Sequence, residues 1–107
     1  MIEKELCIAL LKETLEVKGQ ITLTVYGNSM LPTLHDNQAV IIRKTSNIKI
    51  GDIIAYYFFD ENEVKIIIHR VVFLRKTYIL TKGDNNNFID PIKISFNNIF
   101  RVVSCEN

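Results

Sequence analysis

The sequence predicts a small, mainly β domain, a coiled β-sheet or barrel-like arrangement, preceded by one N-terminal helix. Short runs of β-branched and aromatic residues follow one another, with turn residues about every ten positions. A chain of 107 residues, 48% of them hydrophobic and 23% charged, suits one globular domain with its own core. We divide the chain into a helix at residues 1–19 and a β domain at residues 20–107.

An amphipathic helix is predicted at residues 2–18. Ile2, Leu6 and Leu10 recur at roughly helical spacing, and Gly19 supplies a C-terminal stop. Two interpretations of this helix stay open. It either packs its apolar stripe on the β domain or contacts a membrane surface or a partner.

The β pattern begins after this helix. Residues 21–25 alternate apolar and polar side chains with period two, as a half-buried strand does. Further strands are predicted at residues 38–43, 52–59, 64–74, 77–82 and 99–104. The long apolar run at residues 53–59 would invite self-association if it formed an exposed sheet edge.

Charge and cysteine content exclude several classes of function. With 13 basic and 12 acidic residues and no basic run, the chain lacks the electrostatic pattern of a nucleic-acid binder. Cys7 and Cys105 show no metal-ligand spacing, so we expect reduced thiols, no metal and no cofactor. No apolar run reaches the roughly 18 residues of a membrane span. The acidic start is unlike a secretory signal, and we predict a cytoplasmic protein.

The most informative stretch is Val-Tyr-Gly-Asn-Ser-Met-Leu-Pro-Thr at residues 25–33. Gly27 and Asn28 tolerate tight backbone geometry, and Pro32 restricts its own backbone and that of Leu31. Ser29 is therefore presented on a rigid turn after a strand. It is either a nucleophile, if a base stands beside it, or an ordinary turn serine that bonds its own backbone.

Two further elements bear on that choice. His69 lies in an apolar strand, where desolvation favours the neutral imidazole that a general base needs. It is otherwise a core histidine bonded to a carbonyl group. Asp84 and Asp90 lie in a turn-rich loop. Either can orient the histidine or merely cap backbone N–H groups.

Three motifs occur in one order: Gly-Asn-Ser-Met-Leu-Pro-Thr, Ile-Ile-His-Arg-Val-Val, and Thr-Lys-Gly-Asp-Asn-Asn with a following Asp90. Together with Gly-Asp-Ile-Ile-Ala they resemble the type I signal peptidases. They specifically resemble the branch of this family found in the endoplasmic reticulum, archaea and spore-forming bacteria. The enzymes of that branch use a histidine where the common bacterial enzymes use a lysine. The resemblance spans roughly residues 24–90. It implies a serine endopeptidase with the coiled β fold that also underlies the self-cleaving repressor peptidases.

The resemblance also implies residue roles. Ser29 matches the family nucleophile, and its backbone N–H matches an oxyanion donor. His69 matches the general base, Asp90 the triad acid, and Asp84 the supporting aspartate. Which aspartate orients the histidine stays open. Gly27 stands where many bacterial relatives carry a hydroxyl residue, so a side-chain oxyanion donor is not expected.

The implied substrate is a leader or signal-like peptide with small residues before the cut, extended along a strand edge. The alternative is a non-catalytic module on the same fold that binds peptides or associates with itself. Peripheral membrane contact through the N-terminal helix and homo-oligomer formation stay open as well. No nucleic-acid partner is expected.

Overall fold

The computed structural model describes residues 4–45, 47–61 and 63–105. Within them the chain forms one helix and six strands, with a short 3₁₀ helix at Phe96–Asn98. The elements are α1 (Lys4–Lys18), β1 (Ile21–Thr24), β2 (Ala39–Arg43), β3 (Ile53–Asp60), β4 (Glu63–Leu74), β5 (Ile79–Lys82) and β6 (Ile99–Cys105). The strands form one antiparallel sheet in the order β1-β2-β6-β3-β4-β5. The predicted mainly β class is confirmed.

Both faces of the central strand β3 are buried from Ile54 to Tyr57, which explains the unbroken apolar sequence there. Ile54 and Tyr56 contribute to a cluster on one face, while Ala55 and Tyr57 contribute to a cluster on the other. The first cluster also contains residues of β4, β5 and β6. The second is covered by α1.

Helix α1 packs on the sheet, although Leu10 of the predicted apolar stripe is 46% exposed. Ile8 and Leu15 are buried in the second cluster, with Leu11 packed against it. This is the packed interpretation of the predicted helix. Ile2 lies outside the described residues, as do the side chains of Cys7 and Cys105. No helix in the described part of the chain is long and apolar enough to cross a membrane.

The central part of the apolar run of β3, Ile54–Tyr56, is not a sheet edge, contrary to the expectation that motivated self-association. β3 lies between β4 and β6, and Ile54, Ala55 and Tyr56 pair with both neighbours. Buried side chains on both faces account for the apolar composition of β3 from Ile54 to Tyr57. Homo-oligomer formation stays a prediction without this support.

Strand edges at β1 and at β4 are open in the described structure. β1 ends the sheet order and pairs only with β2. β4 pairs with β3 from Glu63 to Arg70, whereas its pairing with β5 runs only from Arg70 to Leu74. Residues 66–69 of β4 therefore have one strand neighbour, β3, in the described structure. The candidate catalytic residues Ser29 and His69 lie next to these two edges.

Candidate active site

The turn that carries Ser29 is anchored by apolar side chains beneath it. Met30 is 1% exposed and Leu34 is fully buried, in a cluster with Val25 and Val40. The Leu34 N–H donates to the Met30 carbonyl oxygen at 2.9 Å. Because burial fixes the residues around it, the half-buried Ser29 is held in one place.

Gly27 supplies the backbone geometry that the entry to this turn requires. Its φ of 86° lies in the left-handed region, where a side chain would be strained. Its N–H donates to Asp36 Oδ1 at 2.7 Å, which ties the start of the turn to its end. This N–H group is therefore already engaged. Glycine also brings no hydroxyl group to the site.

His69 lies on β4 opposite Ile54 and is 9% exposed. Its ring Nε2 is 3.0 Å from Ser29 Oγ, and its Nδ1 is 2.6 Å from Asp90 Oδ2. A carboxylate only accepts hydrogen bonds, so the proton between them belongs to Nδ1. The lone pair of Nε2 then faces the serine hydroxyl. The structure brings Ser29, His69 and Asp90 together in one hydrogen-bonded chain.

Asp90 is held by strand β5. Its N–H donates to the Thr81 carbonyl oxygen at 2.8 Å, and the Thr81 hydroxyl donates to Asp90 Oδ2 at 2.7 Å. Beyond Asp90 the loop is pinned again, because Ile79 and Ile94 exchange backbone hydrogen bonds of 2.9 and 3.0 Å. The sequence interpretation missed Thr81. Thr81 lies two residues after Ile79, and strand alternation places both on the same face. This spacing was the signal that could have identified Thr81 as a buried polar residue.

Asp84 is not the carboxylate on the histidine. It accepts two hydrogen bonds from Arg70, both of 2.8 Å, and one of 2.6 Å from the Thr33 hydroxyl. The Arg70 hydrogen bond is the largest cause that lowers the pKa of Asp84 from 3.8 to about 2, and the Thr33 bond adds to it. The pair also raises the pKa of Arg70. Asp84 therefore joins the serine turn to β4 as a structural latch.

The loop that carries Asp84 also clamps the serine turn through its backbone. The Asn85 N–H donates to the Ser29 carbonyl oxygen at 2.8 Å, and the Asn85 side-chain amide donates to the Asn28 carbonyl oxygen at 3.1 Å. The Asp84 N–H contacts Met30 Sδ at 3.4 Å. These contacts fix the position of Ser29 relative to Asp90, which the same loop carries.

Gly83 is required at this clamp because the two backbones approach closely. A Cβ atom at this position would lie 2.6 Å from the Ser29 carbonyl oxygen and 2.7 Å from Asn86 Nδ2. We expect Gly83→Ala to destabilise the protein by about 1–3 kcal/mol, as overpacking does. It should also displace Ser29 and slow any reaction there. Urea unfolding followed by circular dichroism measures the first effect.

Gly19→Ala is the matched control for this variant. Gly19 has a φ of 78° at the end of α1, and a Cβ atom there meets nothing within 4 Å. The control should lose stability through backbone strain alone and keep its reaction rate. If Gly83→Ala unfolds at the wild-type urea concentration, the close approach does not constrain the turn.

The latch predicts a specific dependence of stability on acid pH. The pKa of Asp84 is lower in the folded protein than in the unfolded chain, so its ionised form stabilises the fold. This contribution is complete above about pH 4 and is lost as the pH falls through about 2. Asp84→Asn should be less stable than the wild type at pH 7, and the difference should shrink towards pH 2. The measurement is the free energy of unfolding in urea at several pH values.

Glu13→Gln is the control for this experiment, because Glu13 is an exposed carboxylate on α1. Its stability should stay close to that of the wild type across the same pH range. An Asp84→Asn curve parallel to that of the wild type between pH 4 and 2 would contradict the latch.

The remaining candidate groups stand apart from this arrangement. His35 is exposed in its loop. The Lys82 ammonium group donates to the Gly83 carbonyl oxygen at 3.0 Å. Among the described residues no group of three or more His, Cys, Asp and Glu side chains could hold a metal ion.

A groove of about 440 Å³ leads to Ser29 and His69. Its walls are the two open strand edges. One is β1 with the residues that follow it, and the other is the part of β4 before Arg70. The lining is mainly apolar and comprises Thr22, Leu23, Thr24, Val25, Tyr26, Val64, Ile66, Ile67 and Ile68 besides Ser29 and His69.

Comparison with known proteins gives one match. The sequence model of the Peptidase S24-like family matches residues 2–104, which is almost the whole chain. No curated protein and no solved structure matches the chain. The match covers all the motifs noted above.

Proposed function

Because the chain belongs to the Peptidase S24-like family, we propose that it is a serine endopeptidase of the signal-peptidase type. The finer assignment, to the branch that pairs serine with histidine, rests on the motifs at Ser29, His69 and Asp90. The observation that carries the proposal is their hydrogen-bonded chain, with distances of 3.0 and 2.6 Å. This geometry supports the roles that we propose for Ser29 as nucleophile, His69 as general base and Asp90 as orienting acid in acyl transfer.

The proposed reaction begins when the Ser29 hydroxyl attacks the carbonyl carbon of a peptide bond. His69 Nε2 takes the hydroxyl proton as the C–O bond forms. Nε2 then gives this proton to the leaving amine nitrogen as the C–N bond breaks, which leaves an ester on Ser29. Water attacks the ester carbonyl carbon as one of its protons passes to Nε2. The bond between this carbon and Ser29 Oγ then breaks, Nε2 returns the proton to Oγ, and the carboxyl product leaves. Asp90 holds the Nδ1 proton and stabilises the charged ring throughout.

The negative charge on the substrate oxygen needs hydrogen-bond donors in the tetrahedral intermediate. We assign the Ser29 backbone N–H to this role. The Gly27 N–H is bonded to Asp36 and is not available in this conformation. Clamping of the turn by Asn85 fixes the direction of the Ser29 peptide groups, which supports a preorganised donor.

The proposed substrate is an extended peptide that lies between the open edges of β1 and β4. Unpaired strand edges accept an added strand through backbone hydrogen bonds, and alternate side chains then point to opposite sides. Residues Val25, Ile66 and Ile68 make parts of the groove apolar, which favours apolar side chains over charged ones. By resemblance to signal peptidases, a small residue such as alanine would precede the cut.

The test is cleavage of a defined mixture of synthetic 14-residue peptides with varied sequences, followed by mass spectrometry. The wild type should cut a subset of them at an internal bond, with small residues enriched before the cut. Ser29→Ala, purified in parallel, should give no new products. Equal product formation by the two proteins would contradict the proposal and indicate a contaminating peptidase.

A second candidate is a peptide-binding module without turnover. It is favoured by the same two open edges, which can hold a strand whether or not Ser29 reacts. Binding of the peptide mixture by the wild type with no cleavage would support it. Membrane contact through α1 stays a prediction, and vesicle sedimentation of the full chain tests it.

A further inference from the structure

Asp90 has a second hydrogen-bonding partner besides His69, and this partner is completely buried. Thr81 is 0% exposed and donates its hydroxyl to the same carboxylate oxygen that holds His69 Nδ1. Its carbonyl oxygen also accepts the Asp90 N–H. Thr81 therefore holds Asp90 both by its backbone and by its carboxylate.

Position 81 carries a polar side chain in apolar surroundings, which indicates that the Thr81 hydroxyl has a role. Its buried neighbours Ile79 and Val71 belong to an apolar cluster, and Val71 is also its partner across the sheet. Valine would have nearly the same shape as threonine and would avoid burying a hydroxyl group. The hydroxyl is accounted for by its 2.7 Å bond to Asp90 Oδ2.

We propose that Thr81 is a positioning residue that fixes Asp90 Oδ2, so that this oxygen holds the His69 ring with Nε2 directed at Ser29. This inference rests on the proposed function, because the ring orientation matters only if His69 acts as a base. Thr81 does not line the groove, so it is not expected to touch the substrate. It acts through Asp90.

Thr81→Val keeps the shape of the side chain and removes the donor. We expect kcat for the fastest-cut library peptide to fall about 10-fold to 100-fold, the effect of a misplaced catalytic group. KM should stay unchanged, because the groove is intact. Thr81→Ser restores the donor and should restore most of kcat.

A second readout follows the histidine ring without any substrate. The chain has two histidines, so His35→Gln leaves His69 as the sole source of imidazole signals in a nuclear magnetic resonance spectrum. A proton held between Nδ1 and a carboxylate resonates far downfield and exchanges slowly. We expect this signal in His35→Gln. It should shift or broaden when Thr81→Val is added and return with Thr81→Ser.

Ile79→Val is the matched control, because it lies on the same strand and face and is also fully buried. It should lower stability without changing kcat or the His69 signal. If Thr81→Val behaves like this control, or if Thr81→Ser restores neither readout, the positioning role is wrong. If the wild type cuts no peptide, the proposed function fails, and the resonance alone decides whether Thr81 orients the ring.

Discussion

Replacing Ser29 by alanine is expected to abolish peptide cleavage while leaving the fold intact. The hydroxyl is the only group that this change removes, and its Oγ is the atom 3.0 Å from His69 Nε2. Loss of a serine nucleophile lowers kcat by up to about 10⁶-fold in serine peptidases, with a small residual rate from transition-state binding. The measurement is kcat and KM for the fastest-cut library peptide.

Two controls make this result specific. Ser95→Ala removes a serine hydroxyl that only caps the short 3₁₀ helix, through a 3.2 Å bond from the Asn97 N–H. It should keep the wild-type kcat. Circular dichroism and urea unfolding of Ser29→Ala should match the wild type, because Ser29 contributes its carbonyl group, not its hydroxyl, to the clamp with Asn85. Wild-type kcat in Ser29→Ala would exclude this serine as the nucleophile.

Replacing Asp90 by asparagine should have the second-largest effect. Asparagine keeps the size of the side chain but can present an N–H group to Nδ1, which favours the tautomer with the proton on Nε2. The ring would then have no lone pair for the Ser29 hydroxyl. The same change in a serine-peptidase triad lowers kcat by about 10⁴-fold, and we expect a comparable loss here.

Asp84→Asn is the matched comparison, because the same chemical change is made in the same loop. Asp84 bonds to Arg70 and Thr33 and does not contact His69. Its replacement should lower the free energy of unfolding and change kcat far less than Asp90→Asn does. If Asp84→Asn were the more damaging change to kcat in folded protein, the assignment of Asp90 as the orienting acid would be wrong.

Much of the fold was readable from the sequence because the β signals are strong and local. The alternation at residues 21–25 and the apolar runs at 52–59 and 64–74 correspond to β1, β3 and β4. Gly19 marks the end of the helix, as predicted. The strand order was not readable. Antiparallel pairing brings β6 between β2 and β3 through contacts that are distant in sequence, which local patterns do not encode.

The error about the β3 edge has a related cause. An uninterrupted apolar run means burial on both faces, and this sequence signal is the same for an interior strand and for an apolar edge. Only the sheet order distinguishes them. In the structure, α1 covers one face of β3, and residues of β4, β5 and β6 cover the other.

The residues of the candidate site could be identified from the sequence, but their hydrogen-bond partners could not. Ser29, His69, Asp84 and Asp90 were all named from motifs, and the structure places them in one region. The choice between the two aspartates needed distances, since both lie in one loop. Arg70 and His69 are neighbours on β4, so their side chains point to opposite faces of the strand. Asp84 therefore binds Arg70, on the face away from His69.

The most direct test of the central claim is to trap the acyl group on Ser29. An ester of the fastest-cut library peptide acylates a serine peptidase faster than the amide does, so the covalent intermediate accumulates. Rapid acid quenching and mass spectrometry of tryptic fragments locate the added mass. The account predicts one acyl group, on Ser29, in the wild type and none in His69→Ala. An acyl group on another residue, or peptide turnover with no acyl-enzyme at Ser29, would contradict it.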